Sequence, residues 1–242
     1  MKNACTLGIL GGLGPASSAY FYEMIINHTA AKKDNEHIDT YISSAASTPD
    51  RTEYLLDNSK ESPLPRLICE AKKLQSIGCD VLSLPCNTAH YFFDEIQKSV
   101  GIDMINMIDE TLKLLSLRGI HKIGVLATDG TVKTELYQKR AKEYGIECFL
   151  PDKEHQRLVM ELIYDYVKGG IKVKAEQVKP LYEHLIANGA QKAVLACTEL
   201  SILKKECNLD SFYLDALEVL AYKTIEYCKK TPIGFEELLY VD

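Results

Sequence analysis

The 242-residue chain has no apolar run that approaches a membrane span of roughly 18 to 20 residues, no block of basic residues and no paired CxxC motif. A helical membrane protein is therefore not expected. Acidic residues outnumber basic ones, 34 against 28, for a formal net charge of −6. That balance lacks the electrostatic footprint of a nucleic-acid binder or of a protein held on an anionic membrane. Met1-Lys2-Asn3-Ala4-Cys5 leads straight into a strand-like segment without an export pattern, so a cytoplasmic protein is expected. Cys86-x-x-x-His90 is the one zinc-like spacing and would need Cys197 from elsewhere, so no metal is expected. A dinucleotide fingerprint is only half present: Gly12-x-Gly14 follows a strand-like run, but Ser17 stands where the third glycine or alanine belongs. No nucleotide cofactor is expected.

What the chain does contain is eight cysteines and a regular alternation of short apolar runs with amphipathic stretches. Without an export signal the cysteines read as reduced thiols, and the default place for each is the core. Strands are predicted at 6–10, 40–44, 81–84, 104–105, 123–126, 148–150, 193–195 and 212–214, and helices at 17–32, 65–77, 109–117, 134–144, 155–167, 175–188 and 216–229. This order defines an α/β protein with mainly parallel sheets, their apolar strands covered by helices on both faces. Gly78, Gly119, Gly145 and Gly189 each follow a helical pattern where a C′ glycine belongs. The polar, Pro- and Ser-containing stretch 57–65 reads as a loop placed to cover a site.

An internal repeat organises the pattern. Gly78-Cys-Asp-Val-Leu-Ser-Leu-Pro-Cys86-Asn-Thr aligns without gaps onto Gly189-Ala-Gln-Lys-Ala-Val-Leu-Ala-Cys197-Thr-Glu, a constant offset of 111 positions. "LGILGG" from Leu7 pairs more loosely with "IGVLAT" from Ile123. Two similar lobes related by an approximate two-fold axis follow, with a boundary near Arg118-Gly119: residues 1–118 plus 216–242 as the first lobe, its C-terminal helix packed back, and 119–215 as the second.

In open α/β sheets ligands bind outside the carboxyl ends of the strands, where the repeat puts one cysteine in each lobe. Facing lobes would bring Cys86 and Cys197 to opposite sides of one interlobe cleft. A thiolate on one side and a thiol on the other can take a proton from one face of a stereocentre and return one to the other face. Asn87 and Thr88 follow the first cysteine, and Thr198 and Glu199 the second, and all four are expected to bind the substrate. Strand-to-helix turns offer N–H groups to a carboxylate and lower a thiol pKa from about 8.5, so a thiolate at neutral pH is expected at both sites. Gly12, in the loop Gly11-Gly12-Leu13-Gly14-Pro15, permits close approach of a ligand anion.

The segments "LGILGGLGP" (7–15), "STPDRT" (47–52), "PCNTAH" (85–90), "GVLATDGT" (124–131) and "ACTEL" (196–200) together resemble the cofactor-independent aspartate racemases of the aspartate/glutamate racemase superfamily. The resemblance spans nearly the whole chain. It implies two Rossmann-like lobes, an active site between them, a homodimer, a small dicarboxylic amino-acid substrate and racemisation without pyridoxal phosphate. Cys86 and Cys197 would be the acid/base pair, while Asn87, Thr88, Thr131 and Thr198 would hold the α-carboxylate and amino group. Arg51 would bind the side-chain carboxylate with Lys168 as a second cation; a dianionic substrate needs fixed cations, and a planar guanidinium suits a carboxylate. Outside such a site, Arg51 would be a surface salt-bridge partner and Lys168 a solvated helix-end lysine. Glutamate racemases resemble the chain around the first cysteine but carry His where Glu199 stands, which favours the aspartate branch. One departure is the lack of a His in Leu214–Leu220, where many superfamily members have one. The rival readings are a glutamate or broad Asp/Glu racemase, hydantoin or maleate isomerisation on the same scaffold, and a non-catalytic dicarboxylate-binding module.

Overall fold

The computed structural model describes residues 5–239. Strands β1 (Thr6–Gly11), β2 (Asp39–Ser44), β3 (Val81–Ser83) and β4 (Asp103–Ile105) form one sheet in the order β2-β1-β3-β4. Strands β5 (Lys122–Ala127), β6 (Glu147–Phe149), β7 (Lys192–Ala196) and β8 (Tyr213–Asp215) form a second in the order β6-β5-β7-β8. Every pairing within the two sheets is parallel. Equating β5 with β1 makes the two orders the same, so the sequence repeat is also a repeat of topology. All eight predicted strands form.

The helices are α1 (Pro15–Asn27), α2 (Arg51–Leu56), α3 (Leu64–Ser76), α4 (Phe93–Ser99), α5 (Met107–Leu117), α6 (Asp129–Lys133), α7 (Leu136–Glu143), α8 (Lys153–Glu161), α9 (Ala175–Ala187), α10 (Thr198–Cys207), α11 (Ala216–Tyr227) and α12 (Glu236–Leu239). Gly78, Gly119, Gly145 and Gly189 all follow helices with positive φ, as their positions predict. The helix predicted at 17–32 ends earlier, at Asn27, because the chain beyond it pairs with the C-terminal segment. Ala30 N–H donates to Thr231 O, and Thr29 forms a bridge with Pro232. Helices α2, α4 and α6 have five to seven residues, too few to leave a 3.6-residue period in the sequence.

The central strands are buried on both faces as expected, with Leu7, Ile9 and Leu10 of β1 and Ile123, Val125 and Leu126 of β5 inside. The edge strand β2 departs from that expectation: among the described residues it pairs with β1 alone, and Tyr41 and Ile42 are exposed. Helix α11 packs on α1 and α5 of the first sheet's side. Its Leu217, Leu220 and Ile225 join Phe21, Leu112, Val125 and Val194 in one apolar cluster that runs through both lobes. We retain as a proposal the division into 1–118 plus 216–242 and 119–215; residues 1–4 and 240–242 lie outside the described residues. Among the described residues no helix is long and apolar enough to cross a membrane.

This topology places the site. In each sheet the first strand pairs with the second on one side and the third on the other, so the chain connections diverge beyond the strand ends and leave a crevice there. The turns after β1 and β3, and after β5 and β7, open into it.

Candidate active site

In the first lobe the chain leaves β3 and turns at Cys86, which is buried. Its thiol lies beside the Arg51 guanidinium, whose charge and hydrogen bond, with the Ala89 N–H, draw its pKa down against burial. Met107 N–H donates to His90 Nε2 at 3.1 Å, which leaves the proton on Nδ1 to donate to Cys86 O at 2.8 Å. Burial pushes the His90 pKa down to about 4. His90 is thus a neutral brace between the Cys86 turn and α5, and neither of its nitrogens is free for a metal.

Arg51 starts α2, whose N-cap Asp50 accepts from Glu53 N–H. The guanidinium donates to Leu13 O at 2.8 Å, Pro49 O at 3.2 Å and Thr48 O at 3.4 Å. It is 9% exposed, its Nε has no partner, and among the described residues no carboxylate pairs with it. A buried cation held by carbonyls and beside the Cys86 thiol, rather than by a carboxylate, has the charge and the free donor for an incoming carboxylate. Asn87 is aimed similarly: its Oδ1 accepts from Tyr137 Oη at 2.6 Å, while its buried Nδ2 has no partner. Thr88 Oγ1 lies 3.0 Å from both Thr128 Oγ1 and Thr131 Oγ1.

In the second lobe Cys197 is the N-cap of α10, with no N–H of the first turn bonded to its side chain. Its thiol donates to Glu199 Oε2 at 3.0 Å. Glu199 Oε1 stands 3.9 Å from Lys168 Nζ, which also lies 4.2 Å above the Tyr164 ring. Lys168 owes this position to a local change of helix type. After Glu161 the helix continues as a π-helical segment, Leu162–Val167, and Lys168 N–H reaches back five residues to Ile163 O.

Cys86 and Cys197 line one cavity between the lobes, together with Leu13, Asp50, Arg51, Thr52, Asn87, Thr88, Thr128, Tyr164, Lys168, Thr198 and Glu199. Its free volume of about 20 Å³ is closer to a water than to an amino acid. A neighbouring open cavity of about 490 Å³ shares Asp50, Arg51, Lys168 and Glu199 with it. Those side chains form the wall between an open chamber and a closed one, so a substrate needs that wall to move. Both thiols titrate above their ordinary value, contrary to the thiolates expected at neutral pH. At Cys86 burial outweighs Arg51 and the Ala89 N–H; at Cys197 burial and then the Glu199 carboxylate both push upward.

The structure therefore brings together Cys86, Cys197, Arg51, Asn87, Thr88, Lys168, Thr198 and Glu199. Thr131 stands behind Thr88 and Thr128 and does not line the closed cavity. Gly12 lines only the open chamber. With φ at +87°, its added Cβ would lie 2.3 Å from Ala45 N, so its glycine serves the packing of β1 against the end of β2. None of residues 57–63 lines either cavity, so that loop covers no site here. Of the six other cysteines, Cys69 is exposed and is not core filler. Tyr137, Tyr164 and Thr128 escaped the sequence reading; Thr128 was visible as the residue that ends the second copy of the β1 motif.

The Asp/Glu/Hydantoin racemase family profile matches residues 10–221, and the chain belongs to that family. The aspartate racemase of Picrophilus torridus superposes with a TM-score of 0.84 at 31% identity, covering 98% of this chain and 100% of that one. The broad specificity amino-acid racemase RacX of Bacillus subtilis (strain 168) is 28% identical over 225 residues, 90% of this chain and 96% of that one. Glutamate racemase of Francisella tularensis, solved with D-glutamate, shares the fold alone, with a TM-score of 0.63 at 16% identity over 95% of this chain and 83% of that one.

Proposed function

We propose that this chain interconverts L- and D-aspartate by two-base proton transfer at Cα, with Cys86 and Cys197 as the alternating acid and base. The reading rests on one observation above the others: a single cavity holds a thiol from each lobe and a buried guanidinium that has no carboxylate partner among the described residues. Arg51 would take the side-chain carboxylate and Lys168 would supply the second cation. Asn87 Nδ2, Thr88 and Thr198 would hold the α-carboxylate and amino group. Donors already fixed in a closed chamber stabilise the carbanion-like transition state without reorganising at the moment of transfer. No pyridoxal phosphate or other cofactor takes part in this reading.

The likeness to the aspartate racemase of Picrophilus torridus supports aspartate, while the likeness to RacX supports a second reading as a broader amino-acid racemase. We further propose a cytoplasmic homodimer. The edge strand β2, with Tyr41 and Ile42 exposed, is a surface of the kind a second copy covers, and sedimentation would detect the pair.

The test is loss of optical rotation from L-aspartate without added cofactor, with L-glutamate and L-alanine alongside. Turnover confined to aspartate supports the first reading, and comparable rates on all three support the second. Cys86→Ala and Cys197→Ala are each expected to lower the rate at least about 10³-fold. Normal racemisation by either variant would remove the two-base assignment, and binding without turnover by the wild type would leave a dicarboxylate-binding module.

A further inference from the structure

The two thiols occupy equivalent positions but have opposite electrostatic partners. Cys86 lies beside the Arg51 cation, whereas Cys197 donates to the Glu199 carboxylate at 3.0 Å. A residue whose task was to hold a substrate would not be expected to spend a carboxylate oxygen on the catalytic thiol, and an anion there would repel a dicarboxylate. Glu199 is also held from its other side. It is 6% exposed, Oε1 lies 3.9 Å from Lys168 Nζ, and Gly14 leaves it room, since a Cβ there would stand 2.9 Å from Oε1. The other charged or titratable groups facing this corner are Arg51, Asp50, Cys86 and Tyr164.

We infer that Glu199 is not a substrate ligand but the proton holder for Cys197, a positioning residue that makes Cys197 available as a base. The inference rests on the two-thiol reading above. The active form carries two protons distributed over Cys86, Cys197 and Glu199. When Cys197 acts as base, its thiol proton passes to Glu199 Oε2. The resulting thiolate takes the Cα proton, and the Cys86 thiol gives its own proton to the opposite face. Cys86 is left as a thiolate beside Arg51, with Cys197 and Glu199 protonated. The reverse turn runs the same transfers backwards: Cys86 takes the Cα proton, Cys197 gives its proton to carbon, and Glu199 returns its proton to Cys197. The three groups hold two protons before and after each turn. Repeated turnover in one direction carries the proton from Glu199 back to Cys86 through water when the chamber is open.

Lys168 couples this device to the substrate. In the closed chamber it faces Glu199; a substrate carboxylate that draws the ammonium to itself weakens its hold on Glu199, which then accepts the thiol proton more readily.

Glu199→Gln keeps the shape and removes the proton acceptor. The expected result is a kcat about 100-fold lower, with KM for aspartate changed by no more than about threefold, and partial recovery in Glu199→Asp. A purely structural role would not move a second readout: alkylation of Cys197 by iodoacetamide against pH, followed by mass spectrometry in a Cys86→Ser background. Without the Glu199 carboxylate that profile shifts to lower pH even as turnover falls. Retention of kcat within about threefold in Glu199→Gln, or an unmoved alkylation profile, overturns the role of Glu199 and leaves the two-thiol racemase standing. A wild type that racemises no dicarboxylate, or a Cys197→Ala that racemises normally, overturns both.

Discussion

At the scale of single residues, identical positions in two lobes carry unlike chemistry because their neighbours come from different parts of the chain. Cys86 and Cys197 are related by the repeat, yet one meets a guanidinium from α2 and the other a carboxylate from its own turn. Tyr137 is the sharpest case of a residue hidden from sequence. It reads as an ordinary aromatic on a helix face, but its hydroxyl crosses between lobes to fix the Asn87 amide with Nδ2 free. Tyr137→Phe strands that Oδ1 and lets the amide turn over. A kcat/KM loss of about tenfold is expected, together with a Tm lower by a few degrees because a buried acceptor loses its partner. Steady-state kinetics beside a thermal melt checks it; full activity would mean that Asn87 does not need its orientation held.

At the scale of elements, the pieces that build the site are the ones with the weakest sequence signal. The long helices and strands announce themselves by period and by their terminal glycines. The α2 and α6 turns and the Cys86 turn are too short for that, and the π-helical segment before Lys168 reads as plain helix in any periodicity argument. Two glycines of one loop test this distinction between scaffold and site. Gly12→Ala forces a Cβ to 2.3 Å from Ala45 N at a φ of +87°, with backbone on the other side that cannot give way. A destabilisation of at least about 3 kcal/mol in urea unfolding is expected. Gly14→Ala meets instead the movable end of Glu199 at 2.9 Å. It should fold with near wild-type stability and lose about tenfold in kcat through displacement of that carboxylate. Equal behaviour of the two variants would contradict the assignment of one to packing and the other to the site.

At the scale of the whole molecule, one apolar cluster runs through both lobes and α11, so the cleft is set in a shared core. Two buried groups link that core to pH with opposite signs. Asp215 is fully buried; it accepts from Ser201 Oγ and Leu217 N–H through Oδ1, while Oδ2 has no partner. Burial, reinforced by Glu218, pushes its pKa up from 3.8 to about 7. The folded state therefore holds a proton that the unfolded chain has lost, so this contribution is full below pH 3.8 and is lost as pH rises through about 7. His90, pushed by burial from 6.5 down to about 4, does the reverse: its contribution is present above 6.5 and is lost as pH falls toward 4. The two slopes offset one another where their windows overlap. Asp215→Asn should uncover the His90 slope, its Tm relative to wild type rising from pH 4 to pH 7. A difference that stays flat across that range would show that Asp215 is ionised in the folded protein throughout.

The sequence alone determined the strands, the long helices, the two-lobe α/β plan and the equivalence of Cys86 and Cys197, because each is written in local period, in glycine punctuation or in a gapless repeat. It also marked Asn87, Thr88, Thr198 and Glu199 as neighbours of the repeated cysteines, and Arg51 and Lys168 through the family resemblance, and the structure brings all of them to one cavity. Tertiary structure decided what those groups do to one another. It put Tyr137 on Asn87, left Arg51 without a carboxylate partner among the described residues, set Glu199 against Cys197 and moved Gly12 and Thr131 out of the closed chamber. It also reversed the expected thiol pKa shifts, because desolvation depends on how completely the lobes close, and closure is a property of side chains far apart in the chain.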